Sequence, residues 1–94
     1  MKNITWNLDK DNLLREDSSR GGIGFEDCVI ALEEGRVLAD IPNPNSHYPQ
    51  QHLFILEINQ YAYVVPYVES EDGLFLKTLF LSRKHTAQYL IPQL

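Results

Sequence analysis

The stretch HLFILEINQYAYVVPYVESEDGLFLKTLFL, residues 52–81, decides the fold. Apolar and polar positions alternate with a period of two, β-branched and aromatic residues dominate, and two clusters of turn residues interrupt the run. His52–Ile58 reads as a strand, Asn59-Gln60 as a tight turn, residues 61–69 as a second strand, Ser70 to Gly73 as another turn and residues 74–81 as a third strand. A two-residue turn fixes the register. It sets Ile58 opposite Tyr61, Leu56 opposite Tyr63, Phe54 opposite Val65 and His52 opposite Tyr67, all eight on one face. Leu53, Ile55, Glu57, Ala62, Val64 and Val68 take the other. Both faces are apolar enough to require at least partial cover.

Upstream of this meander the period changes to that of a helix. Phe25, Cys28, Val29 and Leu32 fall at i, i+3, i+4 and i+7, which predicts a helix over residues 25–34 stopped by Gly35. A further helix is expected over residues 8–17, capped by Asn7, with a stripe of Leu8, Leu13 and Leu14, and broken by Ser18-Ser19-Arg20-Gly21-Gly22. Ile4-Thr5-Trp6 is β-prone but short, and residues 36–41 read as another short strand. Residues 42–49, with three prolines, form an irregular surface loop of the kind that often carries function. Downstream, Ser82 caps a short helix over residues 83–90, with Ala87, Leu90 and Ile91 on its buried edge and Pro92 ending it. The class is therefore α+β: two N-terminal helices, an antiparallel β-meander sheet and a short C-terminal helix, in one domain over residues 1–94.

Composition narrows the function. A single cysteine excludes a disulfide-built scaffold. Cys28 sits among Val29, Ile30, Ala31 and Leu32 and follows Glu26 and Asp27, so it reads as a buried structural thiol. No run approaches the roughly 18 apolar residues of a membrane span, and Met1 to Trp6 carries no apolar signal core, so no membrane partner and a cytoplasmic location are expected. No Gly-rich phosphate loop and no zinc-ligand spacing occur, so neither a cofactor nor a metal is expected. The net charge of −5 argues against general coating of nucleic acid. The charge is uneven: residues 1–46 hold nine acids and five Lys/Arg, whereas residues 74–94 hold Lys77, Arg83 and Lys84 and no acid.

Those cations, with His52, Tyr67 and His85, make the candidate catalytic set. RNA transesterification needs a base for the 2′-hydroxyl, cations for the phosphorane charge and an acid for the leaving oxygen, and His, Lys, Arg and Tyr supply these without metal. The bland alternative for each is ordinary: a surface imidazole, a packing tyrosine, a solvated strand lysine and a solvated helix end.

Three phrases add a resemblance. Ile4-Thr-Trp-Asn-Leu-Asp-Lys10, Gly24-Phe-Glu-Asp27 and Leu79-Phe-Leu-Ser-Arg-Lys84, in this order along nearly the whole chain, resemble the BrnT-type toxins of the RelE superfamily. The resemblance implies a RelE-like fold, ribonuclease activity that inhibits translation, and a cognate antitoxin as partner, with RNA as substrate and a homodimer left open. Arg83 matches the family's basic residue after the last strand, and Lys77 resembles the one earlier on it. The chain departs from the pattern where Arg20-Gly21-Gly22 replaces Lys-His-Gly and Gln51-His52 replaces Glu-Arg. The alternative is a catalytically degenerate module of the same fold that binds an antitoxin-like repressor.

Overall fold

A computed structural model describes residues 3–91. The meander forms as its turn dictates. Asn59 and Gln60 both take positive φ, at 53° and 67°, the geometry of a hairpin turn whose twist matches the flanking strands. Strands β3 (His52–Ile58) and β4 (Tyr61–Ser70) pair antiparallel with Ile58 opposite Tyr61, Leu56 opposite Tyr63, Phe54 opposite Val65 and His52 opposite Tyr67. Strand β2 (Val37–Pro42) pairs antiparallel with β3 and ends the sheet on that side, where Pro42 is tolerated at an edge.

Two features depart from the sequence expectation. First, Asn3–Trp6 is a full strand, β1, and it runs parallel to β5 (Gly73–Leu76), so the sheet is mixed rather than purely antiparallel, in the order β1-β5-β4-β3-β2. Such a pairing joins opposite ends of the sequence and leaves no local signature. Second, the third strand of the meander is broken. Tyr67 opposes Leu76 and Val64 opposes Phe80, so three residues, 77–79, stand across from two, Val65 and Pro66. This bulge ends β5 and starts β6 (Phe80–Leu81), and it lets Leu76 and Leu79 both reach the same core.

That core lies between the sheet and helices α1 (Leu8–Glu16) and α2 (Phe25–Glu33). Phe25, Cys28 and Ala31 are fully buried against Leu56, Val65, Leu76 and Leu79, while Val29 and Leu32 are only half-buried. The predicted stripe of α1 is corrected more strongly. Leu14 is buried, but Leu8 and Leu13 are 72% and 65% exposed. The helix docks instead through Leu14 and Asp11, whose Oδ1 accepts the buried Phe25 N–H at 2.7 Å and so caps α2 from a neighbouring helix. At the other end of α2, Arg36 N–H reaches the Ala31 carbonyl and Gly35 N–H that of Leu32, closing the helix. Cys28 donates to the Gly24 carbonyl, and burial pushes its thiol up to about 12, which makes it an inert packing group.

The opposite face of the sheet, with Leu53, Ile55, Ala62 and Val64, is covered at one end by α3 (Arg83–Tyr89). Here too the expected buried edge is corrected: Ala87 and Ile91 are exposed, Leu90 packs in part and Thr86 is the buried residue. Its hydroxyl accepts the Ala62 N–H at 2.9 Å and donates to the Ser82 carbonyl at 2.7 Å, so a polar group docks the helix. Pro92, expected to end this helix, lies outside the described residues.

Gly73 begins β5 at φ 140°, and a Cβ there would stand 2.1 Å from the Asn3 carbonyl oxygen. Gly73→Ala is therefore expected to cost about 2–4 kcal/mol, from the strained φ and the close approach together. Urea unfolding checks the midpoint, and hydrogen exchange should show the β1 amides losing protection first.

Candidate functional site

The bulge decides how the basic segment is displayed. Lys77 follows core-facing Leu76 and so lies on the α3 face by alternation, and because residues 77–79 oppose only two residues of β4, Phe80 joins it and Pro66 on that face while Leu81 returns to the helical face opposite Tyr63. Two grooves flank β6. One, of about 410 Å³, has Leu53 and Pro66 at its floor, Lys77, Thr78 and Phe80 along one side, and Asn43, Asn45, Tyr48 and Gln51 of the β2–β3 loop along the other. The second, of about 400 Å³, is lined by Ser18, Ser19, Gly21, Asn59, Tyr61, Tyr63, Leu81 and Arg83.

The six sequence-predicted residues do not converge on one point. His52 and Tyr67 are neighbours across β3 and β4, with ring centroids 5.8 Å apart at 76°. Tyr67 is buried, stacks on Phe54 at 4.1 Å and donates its hydroxyl to Asp40 at 2.6 Å. Burial first, and the Asp40 carboxylate second, hold this phenol well above its ordinary value, so it neither gains nor loses a proton near neutral pH. Lys77 lines the first groove and lies 5.3 Å from the centre of the Phe75 ring. Arg83 lines the second. Lys84 and His85 share the first turn of α3 with Arg83, and neither lines either groove.

The His85 imidazole is held in place by hydrogen bonding. Its Nδ1 lies 2.7 Å from Ser82 Oγ, its backbone N–H donates to the same oxygen, and its ring stacks on Tyr89 at 6.3 Å. Burial, then the Lys84 charge, lowers its pKa from the ordinary histidine value, so the ring is neutral at pH 7. The neutral form is the one the fold favours. Its contribution to stability is thus full above about pH 6.5 and is lost as pH falls through the lowered folded value. An NMR titration should place the His85 midpoint below that of a histidine in an unstructured peptide, and melting between pH 7 and pH 5 should show α3 loosening on the acid side.

The cations themselves divide into two kinds. Arg15 pairs with Asp11 at 3.0 Å, Arg20 with Asp17, and Arg36 with Glu34 at 2.8 Å. Among the described residues, Lys77, Arg83 and Lys84 have no carboxylate within ion-pair distance, and the same holds for Lys10 on α1. Among the described residues no cluster of His, Cys, Asp or Glu is arranged to hold a metal ion, and no helix is long and apolar enough to cross a membrane.

The sequence reading missed the amide side of the first groove, Asn43, Asn45 and Gln51, and its aromatic walls, Tyr48 and Phe80. The available signal was the loop itself, rich in Asn and Pro and flanked by strands on both sides. Chain and fold together define an α+β protein with a mixed sheet covered by two helices on one face and one on the other. No family model, no curated protein and no solved structure matches it.

Proposed function

We propose that the protein is an RNA-directed toxin of the BrnT type, a metal-independent endoribonuclease held in check by a cognate antitoxin. The observation that carries this reading is the partition of cations. On a chain of net charge −5, Arg15, Arg20 and Arg36 are each neutralised by a carboxylate, whereas among the described residues Lys77, Arg83 and Lys84, like Lys10 on α1, have no carboxylate within ion-pair distance, and three of these four lie on one segment. Free cations beside exposed aromatics suit a phosphodiester chain. Neutral His85, next to Arg83 and Lys84, has the protonation state of a general base, and the two cations would stabilise the charge that develops on the phosphorus oxygens. Lys77, in its own groove, would hold a different phosphate of the same strand. Tyr67 serves as a packed support of the strand pair, and exposed His52 stands as the second imidazole. The order of two helices, meander and final helix is as expected, and the parallel strand β1 precedes them.

The test is induction of the chain alone in cells, with growth and RNA integrity followed together. Growth arrest with RNA cleavage, both lost in Arg83→Ala, supports the reading, and normal growth with intact RNA at good expression counts against it. A second reading, the toxin-fold module that binds a repressor without cutting RNA, draws on the separation of Lys77 from Arg83 and on the Tyr67–Asp40 bond. It expects intact RNA together with tight binding to a small DNA-binding protein encoded next door.

A further inference from the structure

The groove beneath the β2–β3 loop has an unusual hydrogen-bonding balance. Asn43 Oδ1 accepts the Asn45 N–H at 2.9 Å, Asn45 Oδ1 accepts the His47 N–H at 2.9 Å, and Gln51 Oε1 accepts from Asn43 Nδ2 at 3.2 Å. Each of these amide oxygens thus accepts one hydrogen bond within the loop, which fixes the orientation of each amide plane. The amino ends of Asn45 and Gln51, the hydroxyl of Thr78 and the ammonium of Lys77 have no hydrogen-bond partner among the described residues. No carboxylate lines the groove. The site thus offers several unpaired donors, one of them a full positive charge, and no anionic acceptor. Its walls, Tyr48 and Phe80, are 50% and 40% exposed, and its floor is the buried pair Leu53 and Pro66.

A neutral peptide strand fits this balance poorly, because it brings no anion to Lys77 and its N–H groups would have to share amide oxygens that each already accept one hydrogen bond. A plain carboxylate or phosphate would leave the aromatic walls unused. A planar ring that carries acceptors on its edge and an anion on its tail uses every part, and a volume of about 410 Å³ is within the usual range for small-ligand sites.

We infer that this groove binds one nucleotide of a single-stranded RNA, with the base against Tyr48 and Phe80, its edge on the amino groups of Asn45 and Gln51, and its phosphate at Lys77 and Thr78. The inference rests on the RNA-directed reading above and adds a base-selecting site to it. Because the free amide protons are donors, the site favours bases whose edges carry carbonyl oxygens, uracil and guanine, over adenine, whose edge acceptors are ring nitrogens beside an exocyclic amine.

The side-chain amide signals of Asn45 and Gln51 make the test direct. The 15N-labelled full chain is titrated with uridine monophosphate, adenosine monophosphate, ribose 5-phosphate and inorganic phosphate. Uridine monophosphate should shift both amide pairs and bind several-fold more tightly than adenosine monophosphate. Ribose 5-phosphate should move only the backbone signals near Lys77 and Thr78. Tyr48→Ala, a half-exposed position whose loss leaves the remaining spectrum in place, should weaken binding about tenfold, the range of one base stacked on one aromatic ring. A uridine tetranucleotide should bind at least tenfold more tightly than the monomer, and equal affinity would assign the site to a free nucleotide and overturn the strand-binding inference. Unmoved amides, or equal shifts with inorganic phosphate, would overturn the base site. The two readings fail separately. Amide shifts with intact cellular RNA sink cleavage and keep the groove, whereas cleaved RNA with unmoved amides and an inert Tyr48→Ala sinks the groove alone.

Discussion

Asp11→Ala is expected to lower the stability of the chain by about 3 kcal/mol. One carboxylate does two jobs. Its Oδ1 accepts the buried Phe25 N–H at 2.7 Å, and its Oδ2 accepts from Arg15 Nε at 3.0 Å. The hydrogen bond to Asp11 raises the Arg15 pKa, burial opposes it, and the charges of Asp11, Asp27 and Glu26 add to the rise. Truncation leaves the first amide of α2 buried without an acceptor, at the end where four donors lack helical partners. Asp27 already serves Gly24 N–H at 2.9 Å and cannot cover both. Nothing bulky can stand in, since even a Cβ on Gly24 would lie 2.7 Å from Asp11 Oδ1 and 2.5 Å from Arg15 Nε. For a domain of this size the midpoint of thermal unfolding should fall by about 15 °C. Asp11→Asn separates the two jobs: it keeps an oxygen for Phe25 and gives up the charge, so it should lose only about 1 kcal/mol. Equal losses in the two variants would show that the ion pair, not the cap, holds α1 to α2.

The hairpin of β3 and β4 was legible because a two-residue turn permits one register, and a one-residue slip would have turned Phe54, Leu56, Val65 and Tyr67 out of the core. Helix α2 was legible for the same kind of reason, a single periodicity with its stop signal. The rest depends on contacts between distant residues. Nothing near Asn3 announces a parallel partner at Gly73. Nothing near Leu8 says that α1 rests on the sheet by one leucine and one carboxylate rather than by a stripe. The bulge at 77–79 left one trace, since Leu76 and Leu79 are three apart and a regular strand would send them to opposite faces, yet both are core. That trace bears on function, because it brings Phe80 to the face that Lys77 already reaches. Tyr67 shows the converse: its hydroxyl looked available on the sequence, and only the approach of Asp40 from β2 reveals that it is already engaged. The free amides of the β2–β3 loop were illegible in principle, as which oxygen is already occupied depends on how the loop folds on itself.

Arg83→Ala and Lys77→Ala are expected to damage RNA cleavage in different ways. Arg83 stands in the same helical turn as Lys84 and neutral His85, where negative charge would build on the phosphorane oxygens. An interaction strongest in the transition state shows in kcat, and loss of one such donor typically costs about 100- to 1000-fold. Lys77 lies across β6, in the groove lined by Phe80 rather than Leu81. A phosphate held there is away from the reacting bond and is bound about equally before and during reaction. Lys77→Ala should therefore raise KM by about tenfold and leave kcat nearly unchanged. Salt dependence offers a second readout: removing one phosphate contact to a single strand should reduce the slope of log affinity against log salt by about 0.7. On a chain of net charge −5 that local contact matters more, since the distant field repels RNA and only short-range cations attract it. Equal losses of kcat in both variants would place the two side chains on one phosphate and contradict the division of labour across β6. A Lys77→Ala chain with unchanged KM and unchanged salt slope would remove RNA from the first groove altogether.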